Sequence, residues 1–166
     1  MILLGWMWGC GGGPCDLDGR RYDDVSQSHV DGDVAYDDEP PAGGSHNPCW
    51  APWGMHVNDV VAPENFVHNL EHGGVVFLWD CDDCAADLAT VGDTVDQLGA
   101  WAMGTRYPGL PWPFAAVAWG VRAHATCVDA DAMTRFYTAH VDRAPESTPS
   151  DPPAGCIDDT DVDTDG

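Results

Sequence analysis

The stretch Phe66-Val67-His68-Asn69-Leu70-Glu71-His72-Gly73-Gly74 sets two imidazoles four residues apart with a carboxylate between them. On a helix, His68 and His72 stand on one face a single turn apart, and that geometry can grip one metal ion. The same letters satisfy H-x-x-E-H, the pattern of inverted zinc peptidases, in which the glutamate activates a metal-bound water and Glu71 would be the general base. In those peptidases the helix runs on and a third, acidic ligand comes from a distant second helix, whereas Gly73-Gly74 stops this one at once. A lone helical pair of histidines serves as readily in a hydrogen-bonded core, so the weight falls on further imidazoles. His46 closes Pro40-Pro41-Ala42-Gly43-Gly44-Ser45-His46, a stiff, glycine-hinged loop that can aim a ring at the helix. His29 lies just before an expected strand, and His56 follows Met55 in a tryptophan-rich stretch. The expected metal ligands are therefore His46, His68 and His72, with His29, a methionine or water in a fourth position. No cysteine or glutamate stands around these positions at zinc-finger spacing, and imidazole with a thioether nearby favours a copper ion over a zinc ion.

Other chemistries find less. Cys81-Asp82-Asp83-Cys84 follows an apolar run and precedes a helical stripe, the position of a thioredoxin-type redox motif. The acidic residues between the sulfurs disfavour a thiolate, so structural disulfides are expected instead, with partners among Cys15, Cys49, Cys127 and Cys156. No G-x-S-x-G supports a serine nucleophile, and the absence of lysine removes a phosphate-binding P-loop. The last six residues, 161–166, open like a calcium loop but stop before its later ligands. Tryptophans 50, 53, 79, 101, 112 and 119 are expected in packing rather than as a ligand platform.

Length and composition bound the frame that must hold the histidines. The 166 residues suit one ordinary domain, and 44% hydrophobic residues with eight tryptophans can fill its core. Six arginines against 28 acids leave a formal charge of −22, a surface that repels nucleic acid and anionic lipid. Seven cysteines point to an oxidising, extracytoplasmic setting. Residues 1–21 read as a leader-like apolar segment and glycine-rich tether, in which Gly9-Cys10 resembles the lipidation site of a bacterial lipoprotein, a possible membrane tether. Ten apolar residues are too few to span a bilayer, which takes about twenty. Residues 22–146 are expected to form the single globular domain, and 147–166 an acidic, disordered tail tied back at most through Cys156.

Within that domain the patterning predicts a short strand over 30–36, a long Pro/Gly/Trp-rich loop over 39–57 and a short helix over 64–71 behind Pro63. It then predicts a buried strand at Val75–Trp79, a helix over 85–101 with Leu88, Val91, Val95 and Leu98 on its apolar stripe, and a second buried strand over 114–121. An edge strand over 124–128 and a last helix carrying Met133, Phe136, Tyr137 and His140 complete the order. The fold class expected is α+β (mixed α/β): a small mixed sheet covered by helices, with the long loop and disulfides.

Tyr36 with Pro40-Pro41-x-x-Gly44-x-His46, Trp53-Gly54, Val67 through Val76, Tyr107-Pro108-Gly109 and Ala118-Trp119-Gly120 resemble domain-of-unknown-function family 3105. That family typically shows P-P-T-S-G-P-H in the first loop and L-V-H-N-L-E-H-G-G-V-V in the second motif, and the resemblance runs from about His29 to Glu146. It implies an exported bacterial protein, periplasmic or at the cell surface and often lipid-anchored, and it names no activity. Ala42-Gly43 and Ser45 depart from the family's first loop, and Met55-His56 stands where a small apolar residue and tyrosine are usual. His29 fits a histidine often present shortly before the first strand. Three readings follow: a metal-binding module holding one copper or zinc ion in periplasmic or surface metal handling, a small zinc-dependent hydrolase with Glu71 as general base, and a disulfide-braced interaction domain with structural histidines.

Overall fold

The computed structural model describes residues 13–22, 26–37 and 39–147. A continuous apolar run, Val75–Trp79, forms the strand β3, buried along its whole length at the middle of a six-stranded mixed sheet. Its side chains alternate between faces, as strand geometry dictates. Val75, Phe77 and Trp79 enter one apolar cluster, and Val76 and Leu78 the other. The remaining strands are β1 (Arg20–Arg21), β2 (Gly54–His56), β4 (Ala102–Arg106), β5 (Phe114–Ala118) and β6 (Val121–Ala125), in the order β1-β6-β5-β3-β4-β2. β2, β4 and β3 run parallel, whereas β5, β6 and β1 are antiparallel to their neighbours.

Three helices cover the sheet. α1 (Pro63–Glu71) starts on a proline at its first turn and ends at His72-Gly73, where Gly73 takes a φ of +94°. It packs Phe66, Val67 and Leu70 with the long loop against Val76, Leu78 and Met103. α2 (Ala85–Leu98) and α3 (Ala130–His140) cover the opposite face through Val91, Val95, Met133 and Phe136. The side chain of Asp129 caps α3 by accepting from Ala132 N at 2.7 Å. Disulfides join Cys15 to Cys127 and Cys81 to Cys84, and Cys49 is also disulfide-bonded. The expected mixed sheet, helices and disulfides are thus present.

Several elements differ from the sequence expectation. Residues 30–36 form no strand, because Gly32 turns there at φ +86° and the segment lies largely exposed; its entrance alone pairs, as a parallel bridge between His29 and His46. The long loop gives up its last residues to β2, which finds a partner in β4. The helix expected to reach residue 101 stops at Leu98, where Gly99 adopts φ +82°, and β4 follows. What reads as one strand over 114–121 is the hairpin β5–β6, turned at Trp119-Gly120, and β6 is covered at its outer edge by β1. Cys81 and Cys84 bond to each other rather than to the other cysteines. Cys10, Cys156 and the expected tail beyond residue 147 lie outside the described residues. No described helix is long and apolar enough to cross a membrane.

Candidate metal centre

The histidine site is built by strapping the long loop onto α1. Asn69, fully buried, grips Ala51 from both sides: its Oδ1 accepts from Ala51 N and its Nδ2 donates to Ala51 O, each at 2.9 Å. One turn earlier, Asn65 Nδ2 donates to Cys49 O at 2.8 Å, and Asn47 N donates to Glu64 O at 3.0 Å. The loop then hands over His29: His46 N donates to Ser28 O at 3.0 Å and Val30 N to His46 O at 2.8 Å. Gly74 has no room for a side chain, since a Cβ there would lie 2.3 Å from the Trp53 ring. Gly74 therefore lets the loop's tryptophan close over the end of the helix, while Gly73 makes room for Asp142 and Ser147.

These straps bring the rings of His29, His46 and His68 into a triangle whose three centroid separations are each 4.9 Å. One donor atom from each ring and one oxygen of Glu71 all lie within 4.8 Å of one another. His46 and Glu71 are sealed from solvent at 0% and 1% exposure, and His68 is buried, whereas His29 is 46% exposed on its side chain. The cluster is therefore open on the His29 side only.

Backbone carbonyls fix the tautomers. His46 Nδ1 donates to Gly44 O at 2.8 Å and His68 Nδ1 donates to Asn47 O at 2.8 Å, so in its neutral form each ring leaves Nε2 as the free acceptor. Burial, with smaller contributions from His72, His46 and His29, lowers the His68 pKa to about 4, against an opposing push from its Asn47 bond. His68 is thus neutral at physiological pH. Nε2 of His46 lies 2.9 Å from Oε2 of Glu71, yet neither that nitrogen nor either carboxylate oxygen has a hydrogen-bond partner. With His46 neutral, lone pair faces lone pair between two side chains that are themselves sealed from solvent. Burying a carboxylate without hydrogen bonds costs several kcal/mol; a cation between the donors would offset that cost, as would a proton on His46 Nε2. Four-coordinate zinc or copper with bonds of about 2.0–2.1 Å spaces its donors about 3.3 Å apart. The 2.9 Å from Glu71 to His46 and the 3.8 Å from Glu71 to His29 bracket that spacing.

Of the residues expected from sequence, His29, His46 and His68 converge. His72 stands beside them, stacked on His68 with their Nε2 atoms in hydrogen-bond contact at 3.0 Å, and its Nδ1 lies 3.3 Å from Glu146 O. Trp50 lies edge-on to both rings at 5.0 and 5.1 Å. His56 turns away and donates from Nε2 to Pro52 O at 2.8 Å. Met55 packs on Gly104 and Trp79 of the sheet. Glu71 enters as a donor, a place the sequence reading did not give it. The signal was its position three residues after His68 on the same helical face.

A family model described as a protein of unknown function, DUF3105, matches residues 29–153, which takes in all four converging donors. Comparison with curated proteins and with solved structures returns no match.

Proposed function

From the premise that this chain belongs to the DUF3105 family, we propose that it is an exported domain holding one divalent transition-metal ion through His29, His46, His68 and Glu71. The observation that carries the reading is the buried Glu71 carboxylate, with no hydrogen bond to either oxygen, facing the equally unpartnered Nε2 of His46 at 2.9 Å. Imidazole nitrogens with one carboxylate oxygen form a borderline donor set that suits Cu(II) and Zn(II), and Cu(II) binds such sites more tightly. Copper is therefore the proposed ion. His72, 3.0 Å from the His68 donor, acts as an outer imidazole that meets the ion on entry or release, and half-exposed His29 is the ligand that exchanges.

The assignment of Glu71 to the ion also favours a carrier or storage role over hydrolysis. A general base must reach a water on an open metal position, and Glu71 instead lies among the ligands, sealed from solvent. The setting in this proposal is periplasmic or at the cell surface, with a lipid on Cys10 as tether; the disulfides agree with an oxidising compartment. Metal content measured on protein purified without chelator or affinity metal tests the reading. One equivalent of copper or zinc supports it, and a metal-free protein that takes up neither ion overturns it.

A further inference from the structure

The two disulfides whose partners are both described differ in what they can brace. Cys15–Cys127 spans a sequence separation of 112 and ties the arm before β1 to the end of β6, whereas Cys81–Cys84 spans a separation of 3. The restraint a disulfide places on the unfolded chain grows with the loop it closes, so the second contributes little as a staple. Its neighbourhood is already held without it. Asp80 N donates to Pro113 O at 3.1 Å, and Tyr107 N to Trp79 O at 2.9 Å. The Asp80 carboxylate accepts from Gly109 N at 2.8 Å and from Arg106 Nε and Nη2 at 3.1 and 2.9 Å. Leu88 N donates to Cys84 O at 2.9 Å, which starts the helix.

Its place in the fold leaves one of its sulfurs approachable. The pair lies just past the carboxyl end of β3, where the chain leaves through α2 for β4 on one side and β5 pairs on the other. Cys84 is the cap residue of the 14-residue α2 and is 8% exposed, whereas Cys81 is only partly buried and its neighbours Asp82 and Asp83 stand in solvent. One sulfur can be met from outside and the other can resolve from beneath, at a helix N-terminus that favours a thiolate.

We propose that Cys81 and Cys84 form a thiol–disulfide exchange site that reduces an exposed disulfide of a partner protein. The sulfur of Cys81, as thiolate, attacks one sulfur of the partner disulfide. A Cys81–partner bond forms, the partner bond breaks, and the departing sulfur takes a proton from water. Cys84 then loses its proton and attacks Sγ of Cys81, closing the Cys81–Cys84 bond and releasing the second partner thiol. Two electrons pass to the partner, and an external dithiol returns the pair to its reduced form by the same steps in reverse. Asp82 and Asp83 set the direction. Their charge opposes thiolate formation, which disfavours the reduced pair relative to the disulfide, and it leaves Cys81 the more nucleophilic thiolate when one forms.

The experiment is dithiothreitol-driven reduction of insulin by the full chain at neutral pH, with insulin as the probe disulfide. The wild type is expected to reduce insulin at least about tenfold faster than dithiothreitol alone. Cys81→Ser should fall to the uncatalysed rate, and Cys84→Ser should accumulate a Cys81–insulin mixed disulfide, seen by mass spectrometry without reductant. Circular dichroism and an intact Cys15–Cys127 bond establish that both variants are folded. A wild-type rate equal to that of dithiothreitol alone overturns the proposal whatever the variants do, as does a folded Cys81→Ser protein with the wild-type rate.

Discussion

His46 Nε2 and Glu71 Oε2 lie 2.9 Å apart in the interior with no hydrogen bond between them. When His46 is neutral, its one proton is committed on Nδ1 to Gly44 O, and the pair meets with its acceptors face to face. Replacing Glu71 by Gln lets the new amide donate to His46 Nε2 and removes a buried carboxylate. The metal-free variant is expected to be more stable than wild type by about 1–3 kcal/mol, read by chemical denaturation. Its affinity for Cu(II) should fall by about 100-fold, equivalent to about 2.7 kcal/mol. Unchanged affinity would return Glu71 to the role of a base beside the ion.

Asn69 holds the loop to α1 through both polar atoms of Ala51. Asn69→Ala leaves a buried donor and a buried acceptor unsatisfied, which is expected to cost about 2–5 kcal/mol in a denaturant melt. Because His46 rides on the same loop, metal affinity should fall although Asn69 is no ligand. Hydrogen exchange at Ala51 N, fast in the variant and slow in wild type, locates the effect.

The metal-free protein should lose stability on mild acidification. His68 has a folded pKa of about 4 against an ordinary value of 6.5, so the unfolded chain binds the proton that the folded chain refuses. Its contribution is fully present above pH 6.5 and is lost as pH falls from 6.5 toward 4. His140, lowered mainly by burial and further by Arg21 and Arg143, acts in the same direction. Denaturation midpoints across that window should slope less steeply in His68→Gln on a His140→Asn background than in the His140→Asn protein. Equal slopes would remove His68 from the acid response.

Of the two disulfides with both partners described, Cys15–Cys127 should be the stronger brace. By the chain-entropy relation, closing a loop of this length is worth about 5 kcal/mol. Cys15→Ser with Cys127→Ser is expected to lower the thermal midpoint sharply, whereas Cys81→Ser with Cys84→Ser should lower it by a much smaller amount.

Patterns that local chemistry enforces were legible in the sequence. Pro63 and Gly73 bound α1, the unbroken apolar run marks β3, and Leu88, Val91, Val95 and Leu98 mark α2. The convergence of His68 and His46 was legible because a helix and a stiff loop each aim a ring. β4 was not, since Ala102-Met103-Gly104-Thr105-Arg106 has no marked apolar pattern and becomes a strand only by lying between β3 and β2. The hairpin turn after β5 was hidden by Trp119, an apolar residue where a polar turn residue is the usual signal. The role of Glu71 was hidden for a similar reason. Its letter in H-x-x-E-H suggests a base, and only the packing of α1 against the 39–53 loop buries it opposite His46.

The central claim is that His29, His46, His68 and Glu71 hold one metal ion. Titration of Cu(II), and separately of Zn(II), against a competing chelator compares wild type with the triple variant His29→Ala, His46→Ala, His68→Ala. The wild type is expected to take up one equivalent at least about 1,000-fold more tightly than the variant, a difference of about 4 kcal/mol. Wild-type affinity for both ions no greater than that of the triple variant would contradict the claim and leave the histidines as internal supports of the loop.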